Sequence, residues 1–407
     1  MPFDAQKLRG DFPILAREIS PGVPLVYLDS AASAQKPQAV IDAMVHAMTH
    51  SYANVHHGVH TLGVEATGLF EAARAKAARF IGAEQPAEIV FVRGATEGIN
   101  LVAQSWGRKN LAAGDEVIIT EIEHHANLVP WQILSEQTGI ILRAARVHDD
   151  GSPDMAAFEA MMTRRTKLVA VSAMSNALGV VNPIEDIVNI AHARGIPVLV
   201  DACQFSAHLP TDVKRMGCDF LVFSGHKLYG PTGIGILWGR QEMLASMPPW
   251  QGGGHMIDRA SLEKTTFAEA PMRFEAGTPA IVEAIGLGAA MDYVSAIGMD
   301  RIAAHEQALH DEARRRLAAI PGVRLLGGAP GSTGIVSFVI EGAQAYDVAV
   351  IADRMGVALR AGHHCTQTTM ARFGVTATVR ASFGLYNTMA EIEVLDKAVQ
   401  KARSMLT

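Results

Sequence analysis

One lysine of this 407-residue chain stands in a setting that points to chemistry. The segment FSGHKLYGPTGIG, residues 223–235, carries Ser224, His226 and Lys227 off the end of an apolar run and follows them with Gly230, Gly233 and Gly235. Open α/β sheets bind ligands at the carboxyl ends of their strands, and glycines let the backbone come close to a ligand. A lysine held there, half withdrawn from water, is expected to lose part of its preference for the ammonium form, as a Schiff-base amine requires. An isolated lysine is far more often a solvated turn residue; here the flanks on both sides weigh against that.

Three further segments end apolar runs with polar residues. IPVLVDACQ offers Asp201 and Gln204. A carboxylate so placed pairs with a cationic heteroaromatic nitrogen, such as the pyridinium of pyridoxal phosphate. At about 3 Å and an effective dielectric near 20, the gross attraction is on the order of 5 kcal/mol before desolvation is subtracted. The plain alternative is a helix N-cap. RGATEGIN, residues 93–100, opens a helix at Gly94, Ala95 and Thr96, whose N–H groups and dipole suit a phosphate; Thr96 as an ordinary N-cap explains it equally well. EIEHHAN sets His124 and His125 after DEVIIT, where an imidazole stacks on a ring and moves protons or merely makes a structural hydrogen bond.

RAGHHCTQT places Cys365 beside His363 and His364, with Arg360 five residues earlier. A free thiol is only about 3% ionised at pH 7, and cationic neighbours raise that fraction; a buried, inert cysteine is the even alternative. Cys203 and Cys218, in or beside apolar runs, fit the inert reading better. Arg380, following TATV, needs an anion, either a carboxylate substrate or a structural partner. Other patterns fail on spacing. GLGAAM lacks a third glycine, HEQALH spaces its histidines by five, and His56, His57 and His60 have no accompanying acid or cysteine ligands.

These segments need a frame. EIVFV, DEVIIT, ILRAARV, TKLVAVSA, IPVLVDA, CDFLVFSG and GIGILWG are short runs of Val, Ile, Leu and Phe, mostly separated by helical periodicity. Such alternation predicts an α/β fold, a doubly wound and mostly parallel sheet covered on both faces. Beyond about residue 280 helices flank a few strands, which reads as a smaller α+β domain. The expected division is 21–285 for the large domain, with 1–20 and 286–407 forming the small one.

With 49% hydrophobic and 19% charged residues the chain is globular rather than disordered. Its 35 basic and 41 acidic side chains leave a net charge of −6, which argues against nucleic acid and against an anionic membrane as partners. Three cysteines without zinc spacing, and no apolar leader in MPFDAQKLRGDFPIL, give the expectation of a reducing, cytoplasmic location.

Taken in order, RGATEGIN, EHHAN, VDACQ, FSGHKLYGPTGIG and RAGHHC resemble the cysteine desulfurases of the class V aminotransferase group, most of all the group-II, SufS-type branch. The likeness runs from VYLDSAASAQKP to the final helix. It implies a fold-type-I enzyme that uses pyridoxal 5'-phosphate, works as a homodimer, and converts L-cysteine to L-alanine while sulfur passes to an enzyme cysteine for iron–sulfur cluster assembly. L-Selenocysteine is a further implied substrate, and a SufE- or SufU-type protein the implied sulfur acceptor.

By this resemblance Lys227 bonds the cofactor, Asp201 pairs with its ring nitrogen, Gln204 meets its hydroxyl, and His124 stacks and transfers protons. Ala95, Thr96, Ser224 and His226 hold the phosphate, with Thr278 reaching across from a second subunit. Asn176, near both cofactor and substrate, acts with Arg380 on the substrate carboxylate, Arg360 and His364 are further substrate-binding residues, and Cys365 takes the sulfur. The chain departs from the branch at His57, where arginine is usual, and at Thr366, Gln367, Thr368 and Thr369, where a more apolar, proline-containing run is usual. A kynureninase-like hydrolase or an epimerase would share the cofactor residues without needing Cys365, and against a cofactor-retaining scaffold that binds sulfur-transfer proteins without turnover stand the intact Lys227, Asp201 and Cys365.

Overall fold

Strand runs that are apolar on both faces cannot leave either face in water, so they assemble into the middle layer of a sandwich. Seven do so in the computed structural model, which describes residues 3–56 and 58–407; His57 lies outside the described residues. They are β1 (Ile89–Val92), β2 (Glu116–Thr120), β3 (Ile141–Ala145), β4 (Thr166–Ser172), β5 (Val198–Asp201), β6 (Phe220–Ser224) and β7 (Gly235–Gly239). The order across the sheet is β1-β7-β6-β5-β4-β2-β3. Only β7 runs antiparallel to its neighbours, so the other strands deliver their carboxyl ends to one edge. The ILRAA strand, β3, is the exception to full burial: it closes the sheet and stays largely open.

The main helices are α1 (Gln38–His50), α2 (Thr61–Phe80), α3 (Ala95–Val102), α4 (Val129–Thr138), α5 (Met155–Met161), α6 (Ile184–His192), α7 (Ile281–Ile297), α8 (Met299–Ala318), α9 (Ala345–Arg354) and α10 (Met389–Leu406). A second sheet holds β8 (Val323–Leu326), β9 (Ile335–Ile340), β10 (Arg360–Gly362) and β11 (Thr378–Ser382) in the order β8-β9-β11-β10, antiparallel throughout. Its inner face packs on α8, α9 and α10.

The domain division differs from the expected one. Residues 281–318 read as one helical pattern, but α7 and α8 meet at a 78° bend. Cutting at 285/286 would split α7, whose Ile281, Ala284, Leu287, Met291 and Val294 join the large core together with Ile302 of α8, whereas Leu309, Ala313 and Leu317 begin the second core. Gly286 and Gly288 are packing residues and no hinge: a Cβ on Gly286 would lie 2.7 Å from Met44 Cγ, and one on Gly288 3.1 Å from Ala73 Cβ. The N-terminal stretch belongs to both domains. Arg9 bonds Glu391 of α10 at 2.8 Å, while Phe12 and Leu15 enter the large core.

Candidate active site

The carboxyl ends of β1, β2, β4, β5 and β6 open on a cleft that also receives residues from the second sheet. Ala95, Thr96, His124, Asn176, Asp201, Gln204, Ser224, His226, Lys227, Arg360, His364, Cys365 and Arg380 all line it. Thr278 alone among the expected residues does not. It is exposed and borders a neighbouring cavity with Trp250 and Gln251.

At the phosphate end, Ser224 closes β6 and accepts a hydrogen bond from Ala95 N at 2.9 Å. This fixes the first turn of α3 against the turn bearing His226 and Lys227, the arrangement in which helix N–H donors meet an anion. The approach demands glycine at 235, where a Cβ would lie 2.6 Å from Gly94 Cα. Thr96 is no N-cap: Gly94 holds that position, and Thr96 sits exposed in the first turn.

Asp201 lies in register with Ser172 of β4. It is not a helix cap either; its Oδ1 accepts from Cys203 N at 2.9 Å, and the next short helix begins after Gln204. Burial pushes its carboxyl up, against the pull of that bond and of Lys227. A buried carboxylate with so little compensation calls for a cation. Gln204 adds a second call, since its Nε2 donates to Ala31 O at 2.8 Å and its buried Oε1 has no partner. An acceptor for a hydroxyl, a carboxylate for a ring nitrogen, a helix start for a phosphate and a half-buried lysine together fit pyridoxal phosphate.

At the other end, His363 to Thr366 form a turn between β10 and a short helix, Gln367–Arg372. His364 and Cys365 adopt φ of 53° and 57°, a left-handed conformation that costs side-chain-bearing residues of order 1–3 kcal/mol. Hydrogen bonds hold it. Asn176 Nδ2 donates to His364 O at 2.7 Å, His125 N to Cys365 O at 2.8 Å, and Cys365 N to His363 Nδ1 at 3.1 Å. Thr366 and Thr369, in the segment that departs from the branch, are buried, and Gln367 N donates to His125 Nε2 at 3.2 Å. Arg380 on β11 has structural partners: its guanidinium donates to Asn176 O at 2.8 Å and Asp29 Oδ1 at 3.1 Å, while its buried Nε has no partner.

The cleft keeps its imidazoles neutral. Burial, then the charges of Lys227 and its neighbours, lower His124 to about 3; burial and Arg380 lower His364 to about 3; burial, Lys227 and Lys36 lower His226 to about 4. Each neutral imidazole offers one hydrogen-bond donor and one acceptor nitrogen to whatever fills the cleft.

Several contributors escaped the sequence reading. Asp29, in VYLDSAA, partners Arg380. Lys36, lowered to about 8 by burial, donates to His226 O at 3.1 Å. His125 and His363, singled out in sequence only as neighbours of His124 and Cys365, bring their rings to 5.7 Å of each other and both hydrogen-bond the Cys365 backbone. Cys203, expected to be inert, is half-buried on the cleft wall, because a strand end turns its side chains toward the ligand space. Cys218 is the inert one, its thiol pushed up to about 12 by burial.

The family model described as aminotransferase class-V matches residues 26–395. A cysteine desulfurase of Salmonella dublin is 50% identical over 407 residues, with both chains covered completely. A protein of Mycobacterium leprae named as a probable cysteine desulfurase is 51% identical over 399 residues; the match takes in 98% of this chain and 65% of that longer relative. In three dimensions, a crystal structure of a cysteine desulfurase from Escherichia coli superposes with a TM-score of 0.92 at 38% identity, covering 100% of each chain. With the cleft's lysine, aspartate and cysteine on the positions that the sequence motifs mark, the chain belongs to the class-V aminotransferase family and, within it, to the pyridoxal-phosphate-dependent cysteine desulfurases.

Proposed function

We propose that this protein converts L-cysteine to L-alanine, with L-selenocysteine as a second substrate, and leaves the released sulfur on Cys365 for transfer to a SufE- or SufU-type acceptor that feeds iron–sulfur cluster assembly in the cytoplasm. The observation that carries the reading is that Lys227 and Cys365 line one cleft although they come from different domains. Pyridoxal phosphate, when bound, supplies an electron sink for the charge left by breaking the substrate's Cα–H bond.

The chain's own groups do the rest. Thr96, Ser224 and His226, with the start of α3, hold the phosphate, and Asp201 and Gln204 hold the ring. Arg380 orients the substrate carboxylate with Asn176, and Arg360 on the exposed rim adds positive charge. Lys227 Nζ moves the α-proton, and the neutral His124 ring holds or returns a proton over the cleft. Cys365 Sγ bonds to the substrate sulfur as the Cβ–S bond breaks. One thiol on the enzyme and one on the substrate thereby become one enzyme persulfide and one new C–H bond in alanine, so atoms and electrons balance without an added oxidant.

A homodimer belongs to this reading. Ile41, Val45 and Met48 recur at helical spacing on α1 and are all exposed, as are Leu62 and Val64 on α2; an apolar face of this kind suits a second copy. Thr278, outside its own chain's cleft, is then available to the partner's phosphate site. The deciding experiment incubates the holoenzyme with L-cysteine and measures alanine, with peptide mass mapping of the enzyme. One extra sulfur on the Cys365 peptide, and none on the Cys203 or Cys218 peptides, is expected. Alanine formation without any persulfide on Cys365 would overturn the assignment.

A further inference from the structure

Glu123 is a buried ionisable group that the chemistry above leaves unused. It follows β2, precedes His124, and is buried to 1% exposure. Each of its contacts comes from a donor. Thr120 Oγ1 at 2.6 Å and Ser172 N at 3.1 Å reach Oε1, and Asn127 Nδ2 at 2.8 Å reaches Oε2. Asn127 cannot simply turn its amide around, because its Oδ1 already accepts from Trp131 Nε1 at 3.1 Å. The carboxylate therefore ties together three pieces: the end of β2, the end of β4 where Ser172 stands in register with Asp201, and the short helical turn His125–Asn127.

That turn holds both ends of the cleft. His124 precedes it and lines the cofactor end, while His125 N donates to the carbonyl of Cys365 at the other. Burial pushes the Glu123 carboxyl up to about 7, with Asp201 adding to the rise and the three donors opposing it. A neutral amide would answer the fold's need for volume but not this donor set, since its NH2 would face another donor.

We propose that Glu123 is a positioning residue: its buried carboxylate fixes the turn that sets His124 over the cofactor ring, and it acts on turnover through His124. The proposal rests on the desulfurase reading for its kinetic part alone. The test compares wild type, Glu123→Gln, His124→Ala and the double variant as holoenzymes. Without cysteine, visible circular dichroism per bound cofactor reports how the protein holds the ring. Glu123→Gln should at least halve that signal in the direction of His124→Ala, with cofactor stoichiometry retained. With cysteine, misplacement of a reacting group by about 1 Å costs up to about 100-fold, so kcat should fall 10- to 100-fold while KM stays within about 3-fold.

The double variant should be no more than about 3-fold slower than His124→Ala alone, because the effect passes through the imidazole. A wild-type dichroism signal in Glu123→Gln, or factors that multiply in the double variant, would overturn the proposal. If wild type releases no alanine from cysteine, the desulfurase reading falls while the dichroism comparison still decides the role of Glu123. Thr120→Val removes one donor with little change of volume and serves if Glu123→Gln does not fold: a smaller dichroism loss of the same sign supports the proposal, and an unchanged signal refutes it.

Discussion

The two ends of the cleft are built by different means. At the cofactor end Asp201, Ser224 and Lys227 sit on or just beyond strands of a sheet buried on both faces, so their positions follow from strand register and closely packed backbone. At the sulfur end Cys365 sits in a left-handed turn held by Asn176 and His125 from the large domain and by His363 beside it. The first arrangement cannot change without disrupting the sheet. The second is held by a few hydrogen bonds, which suits the proposed role of Cys365, to meet a small substrate inside the cleft and then show its sulfur to an acceptor outside. Cofactor chemistry and sulfur delivery are thus separable by mutation.

The largest separation is expected from Lys227→Ala. On the proposed function it removes the amine that bonds the cofactor and moves the α-proton, so cysteine turnover should fall by at least about 1000-fold, and borohydride should no longer fix a pyridoxyl group to the peptide containing residue 227. Retained labelling there, or turnover within 10-fold of wild type, would show that the cofactor end has been misassigned. Cys365→Ser tests the other end. Replacing a soft nucleophile by a poorly ionised hydroxyl should lower alanine release about 100-fold or more, yet cysteine should still perturb the cofactor's absorption spectrum as strongly as in wild type. If the spectral response vanished together with the turnover, the two ends would not be separable.

Arg380→Lys probes the seam between them. Lysine keeps the charge but loses the planar fork that reaches Asn176 O and Asp29. KM for cysteine should rise roughly 10-fold, with a smaller change in kcat. A loss confined to kcat would instead mean that Arg380 serves the Cys365 turn rather than the substrate carboxylate.

The same contrast explains what the sequence disclosed. Strand-end residues were legible because a run such as CDFLVFSG fixes where a strand stops, and whatever follows, here His226 and Lys227, must project at the sheet's edge. The cysteine turn was legible only through its motif, since nothing in RAGHHCTQT predicts left-handed backbone at His364 and Cys365. The place of Cys203 on the cleft wall was not legible, because periodicity cannot tell the last buried position of a strand from the first that faces ligand. Glu123 and Asp29 were passed over for a similar reason: a carboxylate's meaning depends on three-dimensional partners, Thr120, Ser172 and Asn127 for one, Arg380 for the other. The bend between α7 and α8 was not legible either, because residues 281–318 carry one continuous helical pattern.

The smallest expected effect lies in acid stability, and it isolates one residue of the sulfur end. His364 is buried, bonds Thr378 Oγ1 through Nε2 at 2.8 Å, leaves Nδ1 without a partner, and is lowered to about 3. In the unfolded chain an imidazole titrates near 6.5. Between roughly pH 6.5 and 3 the unfolded state therefore binds one proton at this site that the folded state does not, so stability falls as pH falls. Buried carboxyls whose values are raised, Glu123 and Asp201 among them, act in the opposite sense over part of this range. The total slope is accordingly a poor test, and the difference between two proteins a good one. His364→Asn deletes the imidazole and leaves those carboxyls in place, so on acidification from pH 6.5 to 4.5 the variant should lose less stability than wild type, by at most about 1.4 kcal/mol per pH unit. Denaturant titrations at several pH values read this directly. Parallel lines for the two proteins would mean that His364 is protonated as readily in the folded turn as in the unfolded chain, and that the sulfur end is far more open to water than the cofactor end.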